Sequence, residues 1–215
     1  MASTAPYRLL MRGVNFDSGT QLCTPQKGNC AGTLYLNRGH HRKKYFTMLK
    51  APNRGFEMQV FASKRTNPVG IVESCMGRMS LTNDPADRGI AVFDIDNNTD
   101  EELAEAFKLA AENGIYAAIS NPFFETWLLM HFQSIPNEFG KEDIDRKLKE
   151  HMPAYSKTAE LTELKMRIAD AIQRGYSGYG EWGCETVLSN CPSTNMHCAV
   201  KRIIDGKMNM DQNCS

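Results

Sequence analysis

Ile90-Ala91-Val92-Phe93-Asp94-Ile95-Asp96 opens with four apolar residues in a row and ends in two carboxylates spaced two residues apart. An unbroken apolar run of this length marks a strand buried on both faces, as at the centre of a parallel sheet. Downstream, Thr99-Asp100-Glu101-Glu102 reads as a capping box, with acids suited to a helix N-terminus. The helix it opens carries Leu103, Phe107 and Ala110 and stops at Gly114. Residues 115–119 form a second buried strand, and Asn121-Pro122 starts a helix through Trp127, Leu128, Met130 and His131.

Upstream the same alternation continues. Residues 33–36 read as a strand, and residues 42–50 as a helix carrying Tyr45, Phe46 and Leu49. Residues 56–62 alternate as a strand, and Pro68 opens a short helix with Val69, Val72 and Met76. The remainder is expected to be helical over 141–151, 158–174 and 193–204, with a Gly/Tyr-rich loop at 175–183. Short strands alternating with helices predict an α/β fold, with a mainly parallel sheet, helices on both faces and a helical C-terminal extension. One domain over 32–205 follows an irregular segment, 1–31, in which 9–14 is a candidate edge strand; 206–215 is a tail.

The totals exclude several functional classes. The 215 residues suit one ordinary domain. Lys plus Arg is 25 and Asp plus Glu is 25, so no global field draws the chain to nucleic acid or acidic lipid. Electrostatic function must lie in local clusters. No apolar run nears the roughly 20 residues that span a bilayer, and residues 1–7 lack a signal-peptide pattern. A cytoplasmic protein without a membrane partner is expected. Cys184, Cys191 and Cys198 recur every seven residues beside His197, but zinc knuckles pair ligands about two to four residues apart. Reduced thiols are the expected state, with a metal site there as the alternative.

Three clusters can carry chemistry. Asp94 and Asp96 stand where ligands collect in open parallel sheets, at the carboxyl end of a strand. Hard cations such as Mg²⁺ take such oxygen ligands, whereas a capping turn through Asn97 and Asn98 uses the same residues structurally. Arg38-Gly39-His40-His41-Arg42-Lys43-Lys44 follows a strand, opens a helix and is followed by no acid before Lys50. It suits a phosphate or nucleic-acid backbone, or else a solvated helix face. Glu125, in Ser120-Asn121-Pro122-Phe123-Phe124-Glu125, is a third carboxylate or general base, or a charge that complements the helix dipole. His131 is expected to be a hydrogen-bonded core histidine. Tyr176, Tyr179 and Trp182 can stack on bases or pack the glycine-rich loop.

Together these segments resemble the RloB family. The resemblance rests on Val92-Phe93-Asp94-Ile95-Asp96 and on the run from Ile119 to Phe132, which contains SNPxFExWLLxHF; Tyr45-Phe46 and Cys191-Pro192-Ser193-Thr194 agree in order. It covers about residues 32–205. It implies a Toprim-like fold, a place in bacterial phage defence of the abortive-infection type, and a metal-dependent nuclease or phosphodiesterase site. In that pattern Asp94 and Asp96 hold Mg²⁺ or Mn²⁺, and Glu125 is the family glutamate. The first motif departs: Asn37-Arg38-Gly39-His40-His41-Arg42 stands where a CEGxTE-like sequence is expected, so Arg38 replaces a glutamate and Arg42 a frequent second acid. A guanidinium neither ligates Mg²⁺ nor accepts a proton.

Three readings follow. One is a nuclease using Asp94, Asp96 and Glu125. Another is a non-catalytic module that binds phosphate or nucleic acid, RNA included, through Arg38, His40, His41, Arg42 and Lys43, with Arg38 pairing with Asp94 or Asp96 in place of the cation. The third is a scaffold partner of a co-encoded ATPase.

Overall fold

The computed structural model describes residues 33–37, 40–51, 56–82, 84–180 and 184–206. The candidate edge strand at 9–14 and the tail beyond 206 lie outside the described residues. The elements, in order, are β1 (Thr33–Asn37), α1 (His40–Met48), β2 (Glu57–Phe61), α2 (Pro68–Met79), β3 (Arg88–Asp94), α3 (Asp100–Glu112) and β4 (Ile115–Asn121). After them come α4 (Glu125–Leu129), α5 (Lys141–His151), a 3-10 turn (Thr162–Arg167), α6 (Ile168–Tyr179), α7 (Cys184–Ser189), β5 (Ser193–Thr194) and α8 (Met196–Asp205).

The sheet order is β2-β1-β3-β4-β5. The first four strands pair in parallel, with Leu36 opposite Ile90 and Asp94 opposite Ser120. The two-residue β5 runs antiparallel to β4, so the sheet is mixed. From β1 the chain steps to one side for β2 and to the other for β3. That change of direction leaves a crevice at the carboxyl ends of β1 and β3.

Alternate residues of β3 and β4 serve two cores. Ile90, Val92, Tyr116 and Ala118 pack with Tyr45, Phe46, Trp127, Leu128 and Ala199. Ala91, Phe93, Ala117 and Ile119 pack with Ile71, Leu103, Phe107 and Val187. Helices therefore cover both faces, which is why β3 reads as continuously apolar rather than alternating. The capping box is formed: the Glu102 N–H donates to Thr99 Oγ1 at 3.2 Å and the Thr99 N–H to the Glu102 carboxylate at 3.0 Å. Gly114 follows α3 at φ +62°, a left-handed turn that favours glycine.

Four expectations are corrected, each by tertiary contacts that override local pattern. The helix expected at 158–174 is instead the 3-10 turn followed by α6. Lys44 Nζ donates to the Thr158 carbonyl at 2.6 Å and so ties the chain ahead of the turn to α1. Residues 175–179 are not a loop but the end of α6, because a Cβ at Gly175 would lie 2.3 Å from His197 Cγ. Glycine there admits α8 rather than breaking the helix. The helix expected at 193–204 starts only at Met196. Before it, Asn195 accepts from the Ile119 N–H at 2.7 Å and donates to the Ala117 carbonyl at 3.0 Å, so Ser193 to Asn195 satisfy the edge of β4. Finally, α4 stops at Leu129 instead of reaching His131, and Arg174 takes the Met130 and His131 carbonyls at 2.9 and 3.0 Å.

Candidate functional site

The turn after β3 aims its carboxylates. The Ile95 N–H donates to the Ser120 carbonyl at 3.0 Å and the Asp96 N–H to the Pro122 carbonyl at 3.2 Å. Asn97 takes φ +63°, which asparagine tolerates, and the Asn98 side-chain amide donates to the Asp94 and Asp96 carbonyls at 2.9 and 3.1 Å. This knot both precedes the cap of α3 and turns Asp94 and Asp96 into a cleft. The two readings of these residues are therefore compatible.

The cleft has a volume of about 750 Å³ and lies at the carboxyl ends of the parallel strands. The segment after β2 contributes Ser63, Arg65 and the α2 cap Asn67, α1 contributes Arg42, and the β4–α4 junction contributes Phe123 and Glu125. Lys141 and Asp145 of α5 and Lys157 close the far side.

Each aspartate meets a cation. Arg42, only 5% exposed, donates from a terminal nitrogen to the Asp94 carboxylate. The other Asp94 oxygen is buried. The guanidinium also lies over the Phe124 ring, 5.5 Å from its centroid, and its Nε has no hydrogen-bond partner among the described residues. At the rim, Lys141 Nζ is 2.5 Å from Asp96 Oδ2, and both side chains are partly exposed. Glu125 is 6% exposed and accepts from Tyr155 Oη at 2.8 Å. Burial, then the Glu125 charge, push the Tyr155 phenol well above the ordinary tyrosine range, so it stays a donor. Burial and the Glu125 charge also raise the Asp145 carboxyl.

The structure therefore brings Asp94, Asp96, Glu125 and Arg42 together. Arg38 lies outside the described residues, as do the side chains of His40 and His41 in the first turn of α1. The cation seen on Asp94 is Arg42, four residues later in the sequence than the expected Arg38. Lys43 points to solvent away from the cleft, and Lys44 ties down the 158–160 segment through Thr158 and Glu160. Sequence reasoning missed Arg65, Phe123, Lys141, Asp145, Tyr155 and Lys157, which come from four separate segments. One signal was present: Lys141 opens α5, where a positive charge opposes the helix dipole.

A divalent cation does not fit this donor set as arranged. Mg²⁺ needs open carboxylate oxygens with room for its waters, whereas Asp94 is held by a buried guanidinium. Among the described residues no three His, Cys, Asp or Glu side chains converge as a metal site. Of the cysteine series, Cys191 and Cys198 are in no disulfide, and the Cys184 side chain lies outside the described residues.

The remaining candidates are structural. His131 is fully buried; its Nδ1 donates to the Trp127 carbonyl and its Nε2 accepts from Tyr45 Oη, both at 3.1 Å. A carbonyl can only accept, which fixes that tautomer. Burial lowers its pKa to about 4. His197 is buried against Tyr176 and donates to the Gly180 carbonyl at 2.7 Å. Tyr179 donates to the Pro192 carbonyl at 3.2 Å, so both tyrosines pack, and Trp182 lies outside the described residues. No described helix is long and apolar enough to cross a membrane.

A family model described as RloB-like protein matches residues 42–203, about three quarters of the chain. The match begins at Arg42 and contains every cleft residue named above. No curated protein and no solved structure matches the chain.

Proposed function

This chain belongs to the RloB-like family, and on that premise we propose that its cleft grips a phosphodiester backbone, with Arg42 in the place where a Toprim-like site would hold a divalent cation. The observation that carries the reading is the part-buried ion pair between buried Arg42 and Asp94 at the end of the central strand. It keeps a fixed positive charge beside the aspartate with no metal needed. Around it the acids are engaged: Asp96 by Lys141 and Glu125 by Tyr155. Arg65, Lys141 and Lys157 are exposed and form the cationic surface a ligand meets first. Four parallel strands with the aspartate pair at the end of the third support a Toprim-like frame. The wider role in this reading is cytoplasmic phage defence of the abortive-infection type, with nucleic acid as ligand, RNA included, and a co-encoded ATPase as the candidate partner.

A second reading, metal-assisted phosphodiester cleavage, is favoured by one observation. Five carboxylates line the cleft (Asp94, Asp96, Glu102, Glu125 and Asp145) against four cations (Arg42, Arg65, Lys141 and Lys157). A divalent cation would reverse that excess of negative charge. In that case Asp96 and Asp94 would hold the ion after Lys141 and Arg42 had moved aside.

Binding of tRNA, single-stranded RNA and DNA, measured with EDTA and with Mg²⁺ or Mn²⁺, separates the two. The first reading expects binding in EDTA whose logarithm falls against log salt with a slope of about −2 to −3, for contacts from three cations. It expects no cleavage. Cleavage that requires the metal and disappears in Asp94→Asn would instead establish the second reading.

A further inference from the structure

We infer that Phe123 is a base-stacking platform that restricts the cleft to unpaired nucleotides, an inference that rests on the cleft being a phosphodiester site. Phe123 and Phe124 are adjacent, yet their rings have opposite fates. Phe124 is fully buried and meets Tyr45 edge-on, with ring centroids 5.7 Å apart. Phe123 belongs to neither core cluster, is partly exposed, and lines the cleft among Arg42, Arg65, Lys141 and Lys157. An aromatic ring set in a polar, charged cleft gains little from packing there.

Its backbone is well anchored. The Phe123 carbonyl accepts from the Thr126 N–H at 3.0 Å, which starts the turn into α4, and buried Pro122 precedes it. The ring is thus carried on a fixed junction rather than on a mobile tip. Cations that track phosphates, combined with an aromatic face, are the means by which proteins hold single strands. Every base has a π-face, but in a duplex both faces are occupied by neighbouring bases, so only an unpaired base can stack on Phe123. The cleft volume of about 750 Å³ suits a small ligand portion of this kind rather than a double helix.

Fluorescence anisotropy with short oligo(U), oligo(dT), a matched duplex and inorganic polyphosphate as competitor tests the inference. The wild type is expected to prefer both single strands to the duplex. Phe123→Ala should weaken oligo(U) and oligo(dT) binding by about tenfold and leave polyphosphate competition and the salt slope unchanged. Phe123→Leu, which keeps apolar volume without a ring, should behave like Phe123→Ala while keeping the wild-type unfolding midpoint. Phe123→Trp should restore single-strand binding. A larger loss for oligo(U) than for oligo(dT) would support the platform and add a contact to the 2′-hydroxyl. The inference is overturned if Phe123→Ala binds single strands as the wild type does, or if it loses polyphosphate to the same degree. If polyphosphate binds with steep salt dependence but single strands have no advantage, the platform fails and the phosphodiester site stands. Wild-type protein that binds none of these polyanions overturns both.

Discussion

Replacing Arg42 with methionine keeps most of the side-chain length and removes the charge that Asp94 faces. Arg42 is 5% exposed and the Asp94 side chain 17%, so solvent replaces little of what is lost. Breaking a buried ion pair from one side costs about 3–5 kcal/mol, because the remaining charge stays buried and uncompensated. The contact between the guanidinium and the Phe124 ring adds about 1 kcal/mol at most. Arg42→Met is therefore expected to lose about 3–5 kcal/mol in urea unfolding, which corresponds to a fall in Tm of very roughly 6–20 °C. Asp94→Asn should lose a similar amount by leaving Arg42 buried with a neutral partner. The double variant should lose much less than the sum, with a coupling energy of about 2 kcal/mol or more. Additive effects, or an Arg42→Met cost under about 0.5 kcal/mol, would refute the claim that this pair holds the cleft together.

Other consequences follow from the same geometry. His131 has a folded pKa of about 4 against 6.5 for the free side chain. Its depressed value means the unfolded state binds the proton first, so the contribution is present above pH 6.5 and is lost as pH falls towards 4. One such group removes up to about 3 kcal/mol over that window; His131→Asn should flatten the pH dependence of unfolding relative to wild type, and an unchanged slope would contradict the burial. Gly175→Ala places a Cβ 2.3 Å from His197 Cγ and should cost about 1–3 kcal/mol, measured by thermal unfolding. Lys141→Ala breaks a partly exposed pair with Asp96 and should change stability by less than about 1 kcal/mol. In nucleic-acid titrations the same variant should reduce the salt slope by about 1, and an unchanged slope would remove Lys141 from the binding surface.

The sequence makes the centre of the fold legible and its margins less so. Ile90 to Phe93 reads as the central strand because burial on both faces leaves a direct imprint on composition. The Thr99 box is equally legible because capping is local chemistry. Ser193 to Asn195 is misread as helix because its hydrogen bonds go to β4, about 75 residues away. Gly175 reads as a breaker because its reason, the approach of His197, is invisible along the chain. The site divides in the same way. Asp94, Asp96 and Glu125 belong to motifs and are found in advance. Lys141, Tyr155 and Lys157 reach the cleft only through the packing of later segments, and no spacing rule announces them.

The partner of Asp94 shows the limit most clearly. The basic run from Arg38 to Lys44 is visible as a cluster, but helical geometry sorts its members. Arg42 turns in to the carboxylate, Lys43 turns out to solvent, and Lys44 reaches the 158–160 segment. A run of like charge along a helix cannot be one patch when successive residues turn about 100°.

Nucleic-acid binding by the wild type in EDTA, compared with Mg²⁺ and at matched ionic strength, tests the central claim most directly. With Arg42 as the fixed charge at Asp94, affinity in EDTA should match that in Mg²⁺ within about threefold, and Arg42→Gln should lose it in both. Affinity that vanishes in EDTA and returns with Mg²⁺ would contradict the account and return Asp94 and Asp96 to a metal.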